Sequence, residues 1–371
     1  MRIVYLVTRA DAVGGASIHV RDMARWMLDQ GHEAVVLVGG SGPVTEQLAS
    51  LGVPVRTLRH LGRAIHPPRD LAAFREVLGA LKELRPDLVS AHSAKAGWIG
   101  RAAAHRLGIP VLYTPHGWTI GDRLSRAQGL VYRQAERVAA RWCHAIVCVC
   151  EYERRLALEK RVAEPGRLRV IPNGVHDVAG AWRAKPAVSP VRFVSVARFE
   201  APKDHDTLLR AFGRLSGGNW TLSLVGGGPG EERARGLARA LGIAEKVRFE
   251  GYRPDAAGAL AQAQVFVLSS RSEAFPRSVL EAMRAGLPVI ATAVGGVPEA
   301  VAQDRTGLLV RRGSPEALAA ALSRLLVDPP ERQRLGAAAR LDYERRFRFE
   351  RMAEETMSLY TESIGKPPRK K

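Results

Sequence analysis

Cysteine is scarce in this sequence. The 371 residues include three cysteines, Cys143, Cys148 and Cys150, and none belongs to a CxxC motif. Cys148 and Cys150 alternate in the apolar run 145–150, so they are predicted to share one face of a strand. Their spacing argues against a disulfide framework and against a metal or redox site. We expect buried, reduced thiols and a reducing, cytoplasmic compartment.

Long apolar runs are also absent. The N-terminal run Ile3–Val7 is too short for the core of a signal peptide, and no cleavage site follows it. No window approaches the roughly 18 uninterrupted apolar residues that indicate a membrane-spanning helix. Any membrane contact is therefore expected to be peripheral. Low-complexity sequence is missing too, and 46% hydrophobic with 25% charged residues is typical of a folded protein.

Acidic residues are outnumbered by basic ones. The chain has 56 Lys and Arg against 37 Asp and Glu, a formal net charge of +19. Such an excess calls for a polyanionic partner or surface, such as nucleic acid, acidic lipid or a phosphorylated small molecule. Residues 1–174 hold 25 basic and 15 acidic residues, and the remainder 31 and 22, so no single basic arm is present. Because no helix-turn-helix, zinc-finger or RNP motif occurs either, we do not expect nucleic acid as a partner.

Short apolar runs alternate with longer amphipathic segments along the chain. This pattern predicts right-handed βαβ units and parallel sheets covered on both faces. The alternation pauses after Asn173-Gly174, in a stretch rich in Ala, Pro and polar residues. We therefore predict an α/β chain with a Rossmann-like domain over 1–174, a linker over 175–190 and a second such domain over 191–345. A C-terminal helix, which returns to the first domain, and a basic tail are predicted over 346–371.

The loops after predicted strands are the places to search for a site, because open α/β sheets bind ligands there. With two such sheets facing each other, a shared cleft is the expected site. Gly14 and Gly15 open a helix, whose N-terminus presents free N–H groups to a phosphate. Arg198 and Lys203 follow the first strand of the second domain and fit a diphosphate clamp. A tight turn and a solvated basic loop would explain the same residues without function.

Two glutamates stand eight residues apart in the second domain. Glu273 falls in the loop after the predicted strand Val265–Leu268, and Glu281 falls in the helix that begins near Arg277. Paired carboxylates suit acid–base chemistry, and they can equally accept hydrogen bonds from sugar and ribose hydroxyls. A surface helix with an incidental glutamate is the alternative without function.

The stretch 269–299, which contains both glutamates, resembles the E-x7-E signature of the GT4 family of glycosyltransferases. Further patterns of that family occur in the expected order: Thr114–Gly117, the hinge Val170–Gly174, Arg198 with Lys203, and Val225–Pro229. The resemblance covers essentially the whole chain. It implies the GT-B fold, with two facing Rossmann-like, doubly wound parallel-sheet domains and a C-terminal crossover helix. It also implies a retaining hexosyltransferase of the EC 2.4 class that uses a nucleotide-diphosphate sugar.

The resemblance assigns roles to individual residues. Gly14 and Gly15 would approach the donor diphosphate through backbone N–H groups, and Arg198 and Lys203 would neutralise it as it leaves. The other donor-binding residues would hold the sugar (Glu273), line the sugar and phosphate pocket (Ala274, Phe275, Pro276), hold the ribose (Glu281) and border the base (Tyr252, Arg253). Glu273, Arg198 and Lys203 thereby become predicted catalytic residues.

Two histidines complete the predicted site. The resemblance places His116 near the reacting carbon of the donor sugar, which makes it the fourth predicted catalytic residue. A histidine beside Gly117 in a turn can also merely hydrogen-bond the backbone. His92 ends a predicted strand and is the candidate acceptor-binding residue, with structural support as the alternative.

No cofactor and no metal ion are expected, because the nucleotide sugar is a substrate and basic residues compensate its diphosphate. Asp204-His205-Asp206 looks like a D-x-D metal motif, but it opens a helix directly after Lys203, where acidic residues serve as caps. The glycine-rich run Gly226–Gly230 has Glu231 where a dinucleotide fingerprint needs its third glycine. The start of a helix after a strand explains that run.

The acceptor and the donor are only partly constrained. Residues 91–97 and 113–118 resemble bacterial exopolysaccharide and capsule transferases, which implies a sugar acceptor linked to polyprenyl diphosphate. The donor is expected to be a UDP- or GDP-sugar. Alternatives are a nucleotide-sugar epimerase or hydrolase of similar fold, transfer to a soluble small molecule, and a non-catalytic nucleotide-binding module. A dinucleotide-dependent dehydrogenase is disfavoured, because the glycine fingerprint and its acidic partner are missing.

The segment Arg123–Trp142 predicts a helix with two stripes. The basic stripe consists of Arg126, Arg133, Arg137 and Arg141, and the apolar stripe of Leu124, Val131, Ala135, Val138 and Trp142. Four more arginines, Arg56, Arg59, Arg63 and Arg69, lie nearby in sequence. Basic residues attract an anionic leaflet, so we predict peripheral docking of this domain on the inner face of the plasma membrane. The alternative is that the apolar stripe packs on the sheet and the arginines form a solvated face.

Overall fold

The computed structural model describes residues 1–120 and 126–365, with the side chains of 126–128 outside that description. The chain divides into two compact units. The first consists of Met1–Asn173 and the chain from Met352 onward, and the second is Gly174–Arg351. Among the described helices, none is both long and apolar enough to cross a membrane.

The first unit is built on a seven-stranded parallel sheet in the order β3-β2-β1-β4-β5-β6-β7. Its elements in chain order are β1 (Arg2–Val7), α1 (Gly15–Asp29), β2 (Glu33–Gly39), α2 (Pro43–Ser50), β3 (Val55–Leu58), α3 (Pro67–Leu84), β4 (Leu88–His92), α4 (Ala94–Leu107), β5 (Val111–Thr114), α5 (Arg126–Ala140), β6 (Ala145–Cys148), α6 (Glu151–Glu159) and β7 (Leu168–Val170). Strand β4 is buried along its whole length, as expected for a parallel strand covered by helices on both faces.

The second unit repeats the design with six parallel strands in the order β10-β9-β8-β11-β12-β13. Its elements are β8 (Val191–Val196), α7 (His205–Phe212), β9 (Trp220–Val225), α8 (Glu231–Ala240), β10 (Val247–Gly251), α9 (Ala257–Ala261), β11 (Val265–Leu268), α10 (Arg277–Arg284), β12 (Val289–Thr292), α11 (Val297–Ala300), β13 (Gly307–Val310), α12 (Pro315–Val327) and α13 (Pro329–Arg346). A last helix, α14 (Phe349–Ser363), carries the chain into the first unit.

Both sheets reverse their strand order beside their first strand. In the first unit β1 lies between β2 and β4, and in the second β8 lies between β9 and β11. Ligands of doubly wound sheets bind at such switch points, outside the carboxyl ends of the strands. The prediction of two doubly wound parallel-sheet domains is confirmed, and the loops after β1, β4, β8 and β11 become the places to examine.

The segment expected to be a linker is part of the second unit. Residues 175–190 precede β8 and lie within Gly174–Arg351. The fully buried guanidinium of Arg332 donates to the carbonyl oxygen of Pro186 at 2.6 Å, and the N–H of Ala184 donates to the carbonyl oxygen of Ala285 at 2.8 Å. Hydrogen bonds with α13 and with the residue that follows α10 hold this segment, although it lacks the periodicity that would have predicted packing. The predicted basic tail falls on 366–371, outside the described residues.

Candidate active site

The loop between β8 and α7 carries the two predicted phosphate-binding cations, and each is paired with a carboxylate. Arg198 Nη1 lies 2.8 Å from Glu200 Oε1, and Lys203 Nζ lies 2.5 Å from Glu273 Oε1. The Arg198 side chain is 45% exposed, whereas that of Lys203 is 18% exposed. Arg198 is thus accessible to a ligand from solvent. Lys203 is more enclosed and already paired with Glu273, the residue predicted to hold the donor sugar.

The glycine-rich loop after β9 packs directly against the loop of Arg198. A Cβ atom on Gly226 would lie 2.1 Å from the carbonyl oxygen of Ala197, and one on Gly230 would lie 2.8 Å from the carbonyl oxygen of Phe199. Only glycine permits so close an approach of two backbones. The loop therefore forms a wall of main chain beside Arg198, and α8 begins directly after it at Glu231, as the sequence predicted.

Glu273 lies in the loop after β11, at the switch point of the second sheet. Its side chain is 10% exposed, and its backbone is tightly enclosed, because a Cβ atom on Gly295 would lie 1.7 Å from the Glu273 carbonyl oxygen. The next residue, Ala274, accepts a hydrogen bond from the N–H of Gly296 at 2.9 Å. The turn before α11 therefore fixes the main chain on which the Lys203–Glu273 ion pair depends.

The remaining residues of the E-x7-E block begin a helix. Phe275 and Pro276 are buried, and Pro276 caps the N-terminus of α10. The flanking positions Val279, Leu280, Ala282 and Met283 are buried in the core, which leaves Glu281 on the partly exposed side of α10. Within the described parts of the chain, the Glu281 side chain forms no hydrogen bond or ion pair, so its carboxylate is available to a ligand.

The loop after β10 lies beside the glycine-rich loop. Tyr252 is 50% exposed, and its Cβ would be 3.7 Å from a Cβ atom placed on Gly227. Arg253 forms an exposed ion pair with Glu250 at 2.5 Å. The structure thus places Tyr252 beside the loop after β9, which itself packs against the loop of Arg198.

The apparent D-x-D motif is used for structure. Asp204 is the N-cap of α7 and accepts hydrogen bonds from the N–H and the hydroxyl of Thr207 at 3.3 and 3.0 Å. Its carboxylate also lies 3.2 Å from Arg271 and is 5% exposed, while Asp206 pairs with Arg233. The predicted capping role of Asp204 is confirmed, since its carboxylate is engaged on both oxygens.

In the first unit, the predicted glycine pair stands at the beginning of a helix. Gly14 is the N-cap of α1 and Gly15 its first residue, and the first turn holds no acidic side chain. The N–H of Gly14 donates to the hydroxyl of Ser17 at 2.9 Å. The positive end of the α1 dipole is therefore not compensated by a carboxylate of its own first turn, a condition that favours an anionic ligand.

Three histidines of the first unit cluster near the carboxyl ends of its central strands. His19 comes from α1, His92 ends β4 and His116 follows β5, and each offers a ring nitrogen within 4.8 Å of the others. His92 Nδ1 and His116 Nε2 are 2.9 Å apart. Burial, followed by the neighbouring His116, holds the pKa of His92 well below its usual value, so His92 is neutral at pH 7.

Imidazoles are common zinc ligands, so the chemistry of this cluster must be decided by its contacts. A hydrogen bond of 2.9 Å between His92 Nδ1 and His116 Nε2 requires a proton on one of the two facing nitrogens. We therefore interpret His92 and His116 as a hydrogen-bonded pair. The predicted catalytic and acceptor-binding histidines are direct neighbours in it.

The backbone of His116 is strained. His116 has φ +52° and Gly117 has φ +114°. The left-handed region is uncommon for a residue with a side chain and costs about 1–3 kcal/mol. Such strained conformations cluster at functional sites. The carboxylate of Glu153, 1% exposed, accepts hydrogen bonds from the N–H groups of Gly117 at 2.6 Å and Val149 at 2.9 Å. Glu153 thereby clamps the turn that presents His116.

Comparisons with known proteins agree on one class. Residues 14–174 match the family described as "Glycosyl transferase 4-like domain" and residues 181–342 the family described as "Glycosyl transferases group 1". The D-inositol 3-phosphate glycosyltransferase of Frankia alni is 31% identical over 88% of this chain and 89% of its own length. That of Actinosynnema mirum is 30% identical over 94% and 92%.

Solved structures show the same fold. Anabaena HepE in complex with UDP and glucose has a TM-score of 0.86 at 21% identity and covers 97% of this chain and 99% of its own. Sucrose-phosphate synthase of Thermosynechococcus elongatus has a TM-score of 0.82 at 23% identity, with 98% and 99% covered. At this level of identity the likeness establishes the architecture alone.

Proposed function

Because the chain belongs to the GT4 family of glycosyltransferases with the GT-B fold, we propose that it is a retaining enzyme that transfers a hexose from a nucleotide-diphosphate sugar. The observation that carries this proposal is the Lys203–Glu273 pair, which stands at the switch point of the second sheet. A cation for the diphosphate and a carboxylate for the sugar hydroxyls are joined there, where donor phosphate and donor sugar would meet.

The donor is a UDP- or GDP-sugar bound to the second unit. Support comes from Anabaena HepE, whose structures hold UDP, UDP-glucose, or UDP with glucose. The exposed guanidinium of Arg198 would fork onto two phosphate oxygens, and the half-exposed ring of Tyr252 would border the base. The carboxylate of Glu281 would accept hydrogen bonds from the ribose hydroxyls.

The charges of the site suit departure of a diphosphate. Positive charge from Arg198 and Lys203 would stabilise the leaving group in the transition state. In the front-face mechanism, the leaving phosphate takes the proton of the acceptor hydroxyl, so no protein nucleophile and no metal ion is required. His116, presented by a strained turn, would contact the donor sugar.

A thermal-shift panel with UDP-, GDP-, ADP- and dTDP-sugars tests the donor, because ligands that bind the native state raise its melting temperature. We expect a rise with a UDP- or GDP-sugar and a smaller rise with the free nucleotide. Incubation with that donor alone should leave the sugar unchanged apart from slow hydrolysis. A steadily isomerised donor would instead indicate an epimerase.

For the acceptor, we favour a lipid-linked sugar at an anionic membrane. Two residues of the α5 apolar stripe support this, since Val131 is 68% and Val138 46% exposed, whereas Ala135 and Trp142 are half-buried. The basic stripe is only partly available: Arg141 is exposed, whereas Arg137 donates to the carbonyl oxygens of Arg161 and Lys160. Residues 123 and 124 and the side chain of residue 126 lie outside the described residues.

Co-sedimentation with phosphatidylglycerol vesicles tests the docking. Binding should be clear at low salt and fall with added salt, and Val131→Ser with Val138→Ser should weaken it at every salt concentration. Val327→Ser is the matched control, because Val327 is 78% exposed but belongs to the second unit. Equal binding to neutral and anionic vesicles would refute the electrostatic contribution.

A soluble polyol phosphate is the second candidate acceptor. It is favoured by the curated relatives, which are D-inositol 3-phosphate glycosyltransferases at 28–31% identity. Transfer assays with a polyprenyl-diphosphate sugar and with an inositol phosphate, each with the donor found by thermal shift, separate the two.

A further inference from the structure

A chain of hydrogen bonds runs through the first unit from α14 to His116. The hydroxyl of Tyr360 donates to Ser90 Oγ at 2.9 Å, Ser90 Oγ lies 2.9 Å from His92 Nε2, and His92 Nδ1 lies 2.9 Å from His116 Nε2. Tyr360, Ser90 and His92 are 1%, 2% and 1% exposed. Water therefore does not compete for these bonds, and their direction can be worked out from the protons available.

Because Tyr360 donates to Ser90 Oγ, the rest of the chain has one direction. Ser90 has a single hydroxyl proton and already accepts one from Tyr360, so that proton points to the remaining partner, His92 Nε2. If His92 Nε2 donated to Ser90 instead, Ser90 would accept twice and its own buried proton would have no acceptor, which is costly. Burial raises the pKa of Tyr360 to about 12, so Tyr360 keeps the proton that starts the chain at neutral pH.

The direction decides the tautomer of both histidines. A neutral His92 that accepts at Nε2 carries its proton on Nδ1 and donates it to His116 Nε2. His116 Nε2 then accepts, so the proton of a neutral His116 is on Nδ1. The two rings are nearly parallel, with 24° between their planes and centroids 5.2 Å apart, and the ring of Tyr5 stacks on His92 with centroids 6.0 Å apart. Packing thus holds both rings in orientation.

We propose that Tyr360, Ser90 and His92 are positioning residues that lock His116 as the Nδ1–H tautomer, so that His116 serves the reaction as a hydrogen-bond donor and not as a base. Its Nε2 lone pair is occupied by His92, and its Nδ1 already holds a proton. The donor sugar would therefore receive a hydrogen bond from His116. The role of His116 in catalysis rests on the proposed function, whereas the assignment of its tautomer is independent of that function.

Nitrogen-15 NMR of the imidazoles in the full-length protein without ligand tests the tautomer directly. Spectra of His92→Gln and His116→Asn identify the two signals. We expect both rings to be Nδ1–H in the wild type, and Tyr360→Phe or Ser90→Ala to produce a mixture of tautomers at His92 and His116. Tyr343→Phe is the control, because Tyr343 is equally buried and donates to the carbonyl oxygen of Val175 in the second unit. A wild-type His116 protonated on Nε2 would overturn the proposal.

Kinetics test the consequence with the donor identified above. Tyr360→Phe and Ser90→Ala should each lower kcat by about 3- to 10-fold, the effect of losing one hydrogen bond, with the donor KM unchanged. His116→Asn keeps an N–H group near the position of Nδ1 and should retain more activity than His116→Ala. If a correctly folded His116→Asn variant lost as much activity as His116→Ala, this would show that His116 acts as a base.

The two measurements separate the failures. If the chain transfers no sugar, the NMR result still decides whether the tautomer is locked. If transfer occurs but Tyr360→Phe and Ser90→Ala leave both kcat and the imidazole spectra unchanged, the proposal is wrong while the glycosyltransferase assignment stands.

Discussion

Replacement of Glu273 by alanine should separate stability, nucleotide binding and transfer. The carboxylate is 10% exposed and lies 2.5 Å from Lys203 Nζ, which is 18% exposed. Removal of one partner leaves a mostly buried ammonium group without its counter-charge. Fully buried pairs lose about 3–5 kcal/mol in this way, and partial exposure of Lys203 lowers the expected loss of unfolding free energy to about 1–3 kcal/mol.

The same change should have the opposite effects on two functions. Lys203 without its carboxylate partner is freer to attract phosphate, so affinity for the nucleotide diphosphate should be unchanged or higher. Transfer should be nearly abolished, by about 100-fold or more if Glu273 supplies interactions of the kind made only in the transition state. Thermal denaturation, calorimetric titration with the nucleotide and release of nucleotide diphosphate measure the three quantities.

Two controls make this experiment decisive. Glu316→Ala breaks the exposed pair of Glu316 with Arg214 and should change neither stability nor turnover appreciably. The double variant Glu273→Leu with Lys203→Met removes both charges, so it should regain stability relative to Glu273→Ala without regaining transfer. Full turnover of Glu273→Ala with the identified donor would refute its assignment to the sugar, and unchanged stability would refute the buried pair.

Three further outcomes are expected. Glu281→Ala should weaken nucleotide affinity by about 1–3 kcal/mol for a lost charged hydrogen bond, measured by calorimetry, and an unchanged Kd would remove Glu281 from the ribose site. Transfer should persist in EDTA, because the basic side chains of the site compensate the diphosphate; strict, restorable dependence on magnesium or manganese would contradict this. The Arg340 guanidinium lowers the pKa of Asp177 to about 2, below its unfolded value, so the pair stabilises the fold above about pH 4 and that stability is lost as pH falls toward 2. Asp177→Asn should weaken this dependence of the unfolding free energy on pH, measured by urea titrations between pH 2 and 5. An unchanged dependence would show that the pair contributes nothing in this range.

The second-unit site could be predicted largely because its residues follow strands within short stretches. Arg198 and Lys203 lie in one loop, and Glu273 and Glu281 lie in one loop–helix unit. Their spacing in sequence fixes which switch point they reach. Sequence alone did not predict that the cations would be paired, since Glu200 lies two residues from Arg198 and reads as an ordinary surface acid.

The site of the first unit depends on contacts between residues far apart in sequence, which no local sequence pattern predicts. His19 lies on a helix, and its burial against His92 follows from how α1 packs on the sheet. Tyr360 is 270 residues from Ser90, so no spacing could join them. Helical spacing did predict the two stripes of α5, but periodicity shows only which residues share a face and not whether a neighbour covers it. The exposure of Val131 and Val138 therefore had to come from the structure.

The return of α14 to the first unit has a consequence for synthesis on the ribosome. Domains generally fold in the order in which they emerge, and all seven strands of the first sheet precede the whole of the second unit. The helix that brings Tyr360 to Ser90 nevertheless leaves the exit tunnel only after every strand of the second sheet. A nascent chain can thus assemble the first sheet early, but its histidine chain is completed only after the second sheet has emerged. A prematurely terminated product would keep every predicted donor-binding residue and still lack the group that orients His116.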